Sequence, residues 1–240
     1  MRRLDDPELV AAEYADETRL RARMWAQTGG GTLGDARVPA VRAVAETGPR
    51  RVLEVGCGLG ELATWISRET GAVVVAVDLS PRMVELARAN GVDAQVGDVQ
   101  ALPFGDGEFD VAVAAWMLYH VPQLARGVAE LARVLRHGGR LVAVTNSRYH
   151  LQEVRELVGS GPSPASFARE SGGELLRASF ADVHRIDVDG EIEFPTRDDV
   201  AAYVRASIAM APFADSLPDS INEPFCARRA VSIFVATKAD

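Results

Sequence analysis

The sequence predicts an α/β domain built on a parallel sheet covered on both faces. Three observations predict it. From Arg51 onward, short apolar runs alternate with amphipathic helical stretches, the pattern of strands buried on both sides. A glycine triplet, Gly56, Gly58 and Gly60, stands where the first apolar run gives way to a helix. Two of the next runs close on acidic residues, Asp78 and Asp98.

The elements follow in order. The first 46 residues read as helical: an acidic, alanine-rich stretch from about Asp6 to Trp25, a loop over Thr28–Gly34, then a helix over Val38–Glu46. Gly29, Gly30 and Gly31 belong to that loop, because consecutive glycines are costly inside a helix. Arg51–Val55 is a strand and Glu61–Glu69 a helix. Ala72–Val77 is a strand and Pro81–Asn90 a helix, with Ser80 as its N-cap and Pro81 at its first position. Asp93–Val96 and Phe109–Ala115 are strands, and Pro122–Leu135 is a helix closed by His137, Gly138 and Gly139 before a strand over Arg140–Thr145. Beyond residue 146 the regularity loosens. Helices are expected near 149–158, 164–179 and 197–210, and strands near Val183–Val188 and Ala230–Thr237. Pro212, Pro218 and Pro224 mark a loop or cap before the last strand.

Composition narrows the function classes. The 240 residues include 26 Lys and Arg against 34 Asp and Glu, a formal net charge of −8. That balance argues against a partner bound through a phosphate backbone, so no nucleic acid is expected. Cys57 and Cys226 are the two cysteines, too few for a disulfide framework and without zinc-type spacing. Asp5, Asp6 and Glu8 stand where a secretory leader needs apolar residues, and the longest apolar runs, Ala72–Val77 and Val111–Tyr119, fall far short of a membrane span. A cytoplasmic protein without a membrane or metal partner is expected.

The chemistry starts at the glycine triplet. A glycine turn between a strand and a helix lets a ligand approach the backbone, and the helix N-terminus offers free N–H groups. Asp78 lies 20 residues beyond Gly58, where an acid at the end of the adjacent strand would grip a ribose diol; a turn or capping aspartate is the alternative. Asp98, beside the small Gly97 and followed by Val99, would accept from an adenine amino group, or be a turn aspartate. Three such positions at the ends of three strands describe one crevice.

The segments VLEVGCGLG, AVDLS, VGDVQALPFGDGEFDVAVAAWMLYHV and RVLRHGGRLVAVTNS, in this order, resemble the signature segments of class I S-adenosylmethionine-dependent methyltransferases. The similarity is greatest to the ubiquinone and menaquinone biosynthesis type and to natural-product enzymes acting on small molecules. It covers roughly residues 50–146 strongly. The resemblance implies a Rossmann-like, doubly wound sheet of seven mostly parallel strands with an antiparallel last strand, N-terminal helices and a partial cap. It implies that residues 1–46 close over the cofactor site and that 47–240 form the methyltransferase domain. Within that domain, 50–146 are the core, 147–229 contribute an acceptor pocket and 230–237 form the last strand.

S-adenosyl-L-methionine is the implied cofactor. Glu54 would organise the glycine loop, and Gly56, Cys57, Gly58 and Gly60 would pass beneath the methionine part. Asp78 would hold the ribose hydroxyls, with Leu79 and Met83 flanking the adenine and Asp98 and Val99 reading its edge. Ala115 would offer backbone to the amino group, with Trp116 nearby or in the core, and Tyr14 would close over the cofactor. One departure is His137, which replaces the usual proline before Gly138 and Gly139; this histidine is expected to be exposed.

The implied reaction is methyl transfer to an oxygen, nitrogen or carbon of a small molecule, a bacterial secondary metabolite on the alanine-, arginine- and valine-rich usage. His120 is a candidate base, or a packing residue, and His150 an alternative base. Tyr119, Asn146 and Tyr149 are candidates for the acceptor pocket. Phe167, Phe194, Tyr203, Phe213 and Phe225 would line an acceptor site or fill the core. Monomer and homodimer both stay open. Two rivals remain: a catalytically silent S-adenosylmethionine-binding partner protein, and a nicotinamide-dependent dehydrogenase. The dehydrogenase fits poorly, because Glu61 falls where its third glycine belongs.

Overall fold

The computed structural model describes residues 4–15, 17–28 and 35–239, with only the backbone described over 25–28. Helices α1 (Pro7–Glu13), α2 (Thr18–Thr28) and α3 (Val38–Ala45) come first. Then β1 (Arg51–Val55), α4 (Glu61–Thr70), β2 (Val73–Asp78), α5 (Pro81–Ala89), β3 (Asp93–Val96) and β4 (Phe109–Ala115) alternate. A 3-10 turn at Leu118–His120 leads to α6 (Leu124–Val134) and β5 (Leu135–Asn146). The remainder holds α7 (Gln152–Val158), α8 (Gly172–Arg177), β6 (Asp182–Phe194), α9 (Arg197–Ala206), a 3-10 segment at Ala211–Ser216 and β7 (Phe225–Thr237).

All seven strands form one sheet in the order β3-β2-β1-β4-β5-β7-β6. The first five pair in parallel, and β7 runs antiparallel to both β5 and β6. The doubly wound, mostly parallel sheet expected from the sequence is present. Winding reverses after β3, so β1 and β4 lie side by side at the switch point where such sheets open a crevice.

Alternate residues of each central strand feed two separate cores. Leu53, Val55, Val77, Ala112, Ala114, Leu141 and Ala143 pack under α6 and α8. Val52, Val74, Val111, Val113, Val142 and Val144 pack under α3 and α4, and Ala76 meets Val84 and Ala87 of α5. Both faces being covered is why these strands read as continuous apolar runs. A third cluster joins Val154 and Val158 of α7 to Phe194, Val200 and Val204, forming a cap beside β6 and β7.

Several expectations need correction. The single helix over Asp6–Trp25 is two helices, α1 and α2. Tyr14 leaves helical geometry as the C-cap of α1, and its carbonyl is taken by the Ser80 hydroxyl at 2.9 Å. The loop over Thr28–Gly34 lies outside the described residues from Gly29 onward, and Thr28 itself closes α2. The helix near 164–179 shrinks to α8. Its first half is instead stitched to the end of β5, where Thr145 Oγ1 donates to the Phe167 carbonyl at 2.9 Å and Arg169 N to the Asn146 carbonyl at 3.1 Å.

Gly138 and Gly139 do not end α6, which stops at Val134. They lie in an irregular start of β5, where the register with β4 shifts between Phe109 and Val111. A Cβ on Gly139 would stand 2.8 Å from the Arg136 carbonyl oxygen, so the bulge needs glycine there. His137 is exposed as expected. β6 and β7 run well beyond the predicted spans, pairing from Asp182↔Thr237 to Phe194↔Phe225.

Candidate functional site

A cavity of about 610 Å³ opens at the carboxyl ends of β1, β2, β3 and β4, roofed by α1 and α2. Its floor is the turn after β1. Gly56 N and Cys57 N both donate to the Val77 carbonyl, at 2.7 and 3.2 Å, so the loop is pinned to the end of β2. Gly56 has φ +73°, and a Cβ there would lie 2.7 Å from Met117 Cβ. Both facts demand glycine. Gly58 has φ +52° and faces Leu20 of α2, whose Cδ2 would lie 3.2 Å from an added Cβ.

Asp78 closes this loop electrostatically. Its Oδ2 accepts from Gly58 N at 2.9 Å and its Oδ1 from Ser80 N at 2.9 Å. Burial pushes its carboxyl up, while the Ser80, Gly58 and Leu79 backbone N–H groups act the other way. Ser80 caps α5 through Met83 N at 3.3 Å, as the sequence predicts, and the same hydroxyl donates to Tyr14 O.

Glu54 sits on the cavity wall at 2% exposure, and its Oε2 has no hydrogen-bond partner. Burial raises its pKa to about 8, reinforced by the charge of Asp78. Cys57 is buried, and burial with Glu54 and Asp78 nearby holds its thiol well above the usual range. At the far rim, Leu79 is 58% exposed beside Asp98 and Val99. The Asp98 carboxylate is held by Gln100, whose Nε2 donates to Oδ2 at 2.9 Å and whose backbone N donates to Oδ1 at 2.8 Å.

Across the cavity, Tyr14 OH meets His120 Nε2 at 3.0 Å. His120 Nδ1 lies 2.7 Å from the Leu4 carbonyl, which can only accept. The proton is therefore on Nδ1, and Nε2 accepts from the tyrosine. Burial lowers the His120 pKa to about 4. Arg23 of α2 donates to Tyr14 OH at 3.4 Å and to the Ala206 carbonyl at 3.0 Å, and it pairs with the buried Glu13. Trp116 follows β4 with φ +53°, a strained value for a bulky residue; its Nε1 donates to Asn146 Oδ1 at 3.0 Å.

A family described as a methyltransferase domain matches residues 53–143. The ubiquinone/menaquinone biosynthesis C-methyltransferase UbiE of Geobacter sp. (strain M21) is 30% identical over 178 residues, covering 66% of this chain and 70% of that protein. The chain belongs to the class I S-adenosylmethionine-dependent methyltransferases. The cofactor of that family is S-adenosylmethionine. Methyltransferase GfsG of Streptomyces halstedii is 38% identical over 128 residues, covering 50% of this chain and 46% of GfsG, so the chain spans about half that relative's length. Among solved structures, the YcgJ protein of Bacillus subtilis shares the fold, with a TM-score of 0.62 at 18% identity over 84% of this chain and 99% of that one.

The methyltransferase fold brings most of the sequence-selected residues together. Tyr14, Glu54, Gly56, Cys57, Gly58, Asp78, Leu79, Asp98, Val99, Ala115, Trp116, Tyr119 and His120 all line the cavity. Others do not. Met83 is fully buried in the core. Gly60 packs against α5 and its exit, where an added Cβ would lie 2.7 Å from Val92. Gly97 does line the large cavity, and a Cβ there would stand 2.8 Å from Val77. Tyr149 is 48% exposed and lines neither cavity. Asn146 and His150 line a second, smaller chamber of about 80 Å³. Of the five late aromatic residues, Tyr203 alone lines a cavity, and Phe167, Phe194, Phe213 and Phe225 belong to cores.

Sequence reasoning missed Arg23, Met24 and Leu20 of α2, which cover the cavity. No local motif marks them. A charged residue in a helix reads as solvated until a buried partner such as Glu13 is placed beside it.

Proposed function

We propose that this chain transfers a methyl group from S-adenosylmethionine to an oxygen, nitrogen or carbon of a small molecule. The observation that carries the reading is Glu54: a buried carboxylate oxygen without a partner, on the wall of the cavity floored by the glycine loop. A buried carboxyl oxygen without a partner is costly and calls for a cationic or donating ligand group. The cofactor's methionine end is cationic, and the residues present fit it.

When bound, the cofactor supplies an activated methyl group open to in-line displacement. The chain's part is to bind, orient and exclude water. Gly56 and Gly58 present backbone without side chains. Each oxygen of Asp78 retains acceptor capacity beyond the N–H it already binds, which suits the two ribose hydroxyls. Leu79 and Val99 offer apolar surface to the adenine, and Asp98 accepts from its edge. Ala115 and Trp116 border the methionine end.

The roles of the histidines follow from their hydrogen bonds. His120 has both nitrogens engaged, so we read it as a positioning residue that holds the Tyr14 phenol and α1 over the cavity. Residues 1–46 then divide: α1 and α2 cover the cofactor, while α3 docks on the sheet, where Arg140 Nη1 donates to the Ala43 carbonyl at 2.8 Å. Residues 147–229 supply the acceptor side. A secondary metabolite is the acceptor class we favour, on the residue usage of a GC-rich bacterial genome. Among the described residues no helix is long and apolar enough to cross a membrane, and none form a metal-binding group.

Titration calorimetry tests the reading. S-adenosylmethionine and S-adenosylhomocysteine should bind saturably and NADH should not. Absence of S-adenosylhomocysteine binding would overturn it. Binding without transfer to any of a broad set of phenols, acids and amines would favour the silent-partner alternative.

A further inference from the structure

The second chamber shares Arg23, Tyr119 and His120 with the large cavity and extends away from it toward α7 and α9. Two of its wall groups are unusual. His150 is 4% exposed, and its Nδ1 accepts from Ala230 N at 3.1 Å. A backbone N–H can only donate, so the proton of the neutral ring is on Nε2. That Nε2 is buried and has no hydrogen-bond partner. His150 is therefore a waiting donor, and its remaining nitrogen has no free lone pair with which to act as a base.

Arg155 is the second. It is 8% exposed and donates from Nε to the His150 carbonyl at 3.2 Å and from Nη1 to the Gly161 carbonyl at 3.4 Å. Among the described residues it pairs with no carboxylate. A buried guanidinium held only by neutral carbonyls is poorly compensated. Among the described residues no Asp or Glu lines the chamber. Burial, then the charges of Arg155, Arg229 and Arg169, hold the His150 ring neutral, with a pKa of about 3.

We propose that this chamber is a carboxylate-binding subsite, in which Arg155 and the His150 Nε2–H anchor an acidic group of the methyl acceptor. The inference rests on the methyltransferase reading for the word acceptor, and on the chamber alone for the word carboxylate. The volume of about 80 Å³ suits one such group, since a water occupies about 30 Å³ of liquid. Tyr119 and His120 border both spaces, so the chamber adjoins the cavity that would receive the rest of the same molecule. A phenol or amine without an acid would leave the Arg155 charge buried and unanswered, which is a penalty and therefore a filter.

The test uses the full chain labelled with 15N-histidine and saturated with S-adenosylhomocysteine, titrated with acetate and, separately, with acetamide. Four histidines give a tractable spectrum, and His150 is assigned by the signals lost in His150→Gln. Acetate should shift the His150 Nε2–H saturably, and acetamide should bind at least tenfold more weakly. Arg155→Met should weaken acetate at least tenfold and Arg155→Lys by less. If Arg155→Met fails to fold, the ratio of acetate to acetamide on the unaltered chain decides. No acetate shift at His150, or equal affinity for the two probes, would overturn the proposal. Repeating the titration without S-adenosylhomocysteine keeps the tests apart. Failure of the methyltransferase reading appears as no nucleoside binding, and failure of this one as no carboxylate effect.

Discussion

Tyr14 and His120 are 106 residues apart in the chain, yet their rings stand edge to face, with centroids 5.6 Å apart, and share a hydrogen bond across the mouth of the cavity. The contact ties the first helix to the end of the fourth strand. It also leaves His120 neutral, buried and satisfied.

Acid should therefore weaken the fold. The His120 pKa is lowered to about 4 and that of His150 to about 3, so below pH 6.5 the unfolded chain takes up protons that the folded chain refuses. Stability is complete above about 6.5 and is lost as the pH falls toward 4. Melting temperatures between pH 7 and 4.5 measure this. His120→Gln, at a lower overall stability, should show a shallower acid limb.

Glu54 has the opposite sign. Its folded pKa is raised to about 8, so from about pH 4.5 upward the unfolded chain loses a proton that the folded chain keeps, and stability declines until about pH 8. Glu54→Gln should melt higher than the parent at pH 8 by several degrees and equal it near pH 5. It should also bind S-adenosylmethionine at least tenfold more weakly. Calorimetry of the parent at pH 7 in buffers of different ionisation enthalpy should show proton release on binding, and the variant should show none.

Asp78→Ala removes the side-chain ties to Gly58 N and Ser80 N and the ribose acceptors together. Hydrogen bonds to a charged group contribute about 1.5–3 kcal/mol each, so affinity for S-adenosylhomocysteine should fall at least 100-fold. The sheet has its own cores, so far-ultraviolet circular dichroism should be unchanged.

Gly56→Ala meets both a positive φ and the side chain of Met117, and should destabilise the chain by about 2–4 kcal/mol while abolishing cofactor binding. Met117→Gly in the same chain removes the clashing Cβ and leaves the dihedral penalty at position 56. The double variant should recover about half of the lost stability in urea unfolding.

The central strands were legible because burial on both faces makes them uniformly apolar. β1 and β4 occupy the predicted residues, and so does the short edge strand β3. β6 was underestimated because it is an edge strand. Asp187, Asp189, Glu191 and Glu193 along it keep the edge solvated, and those residues resemble loop in a sequence. The break after α1 has no Pro or Gly to announce it, since it is set by Ser80 from 66 residues away. The same holds for the site. Glycines and acids at strand ends have a local grammar. The tautomer of His120 depends on Leu4 and Tyr14, and the donor role of His150 on Ala230. Such partners come only with the tertiary structure.

β7 has a consequence of another kind. It slides between β5 and β6 as the sheet's one reversed strand, and its Ala230 supplies the N–H that fixes the His150 tautomer. The floor of the large cavity is complete by Asn146, whereas the small chamber waits for a strand that begins at Phe225. The two proposed anchors of that chamber, His150 and Arg155, thus lie downstream of every described residue that lines the large cavity. Recombination downstream of Asn146 could exchange one acceptor for another and leave the methyl donor's seat untouched.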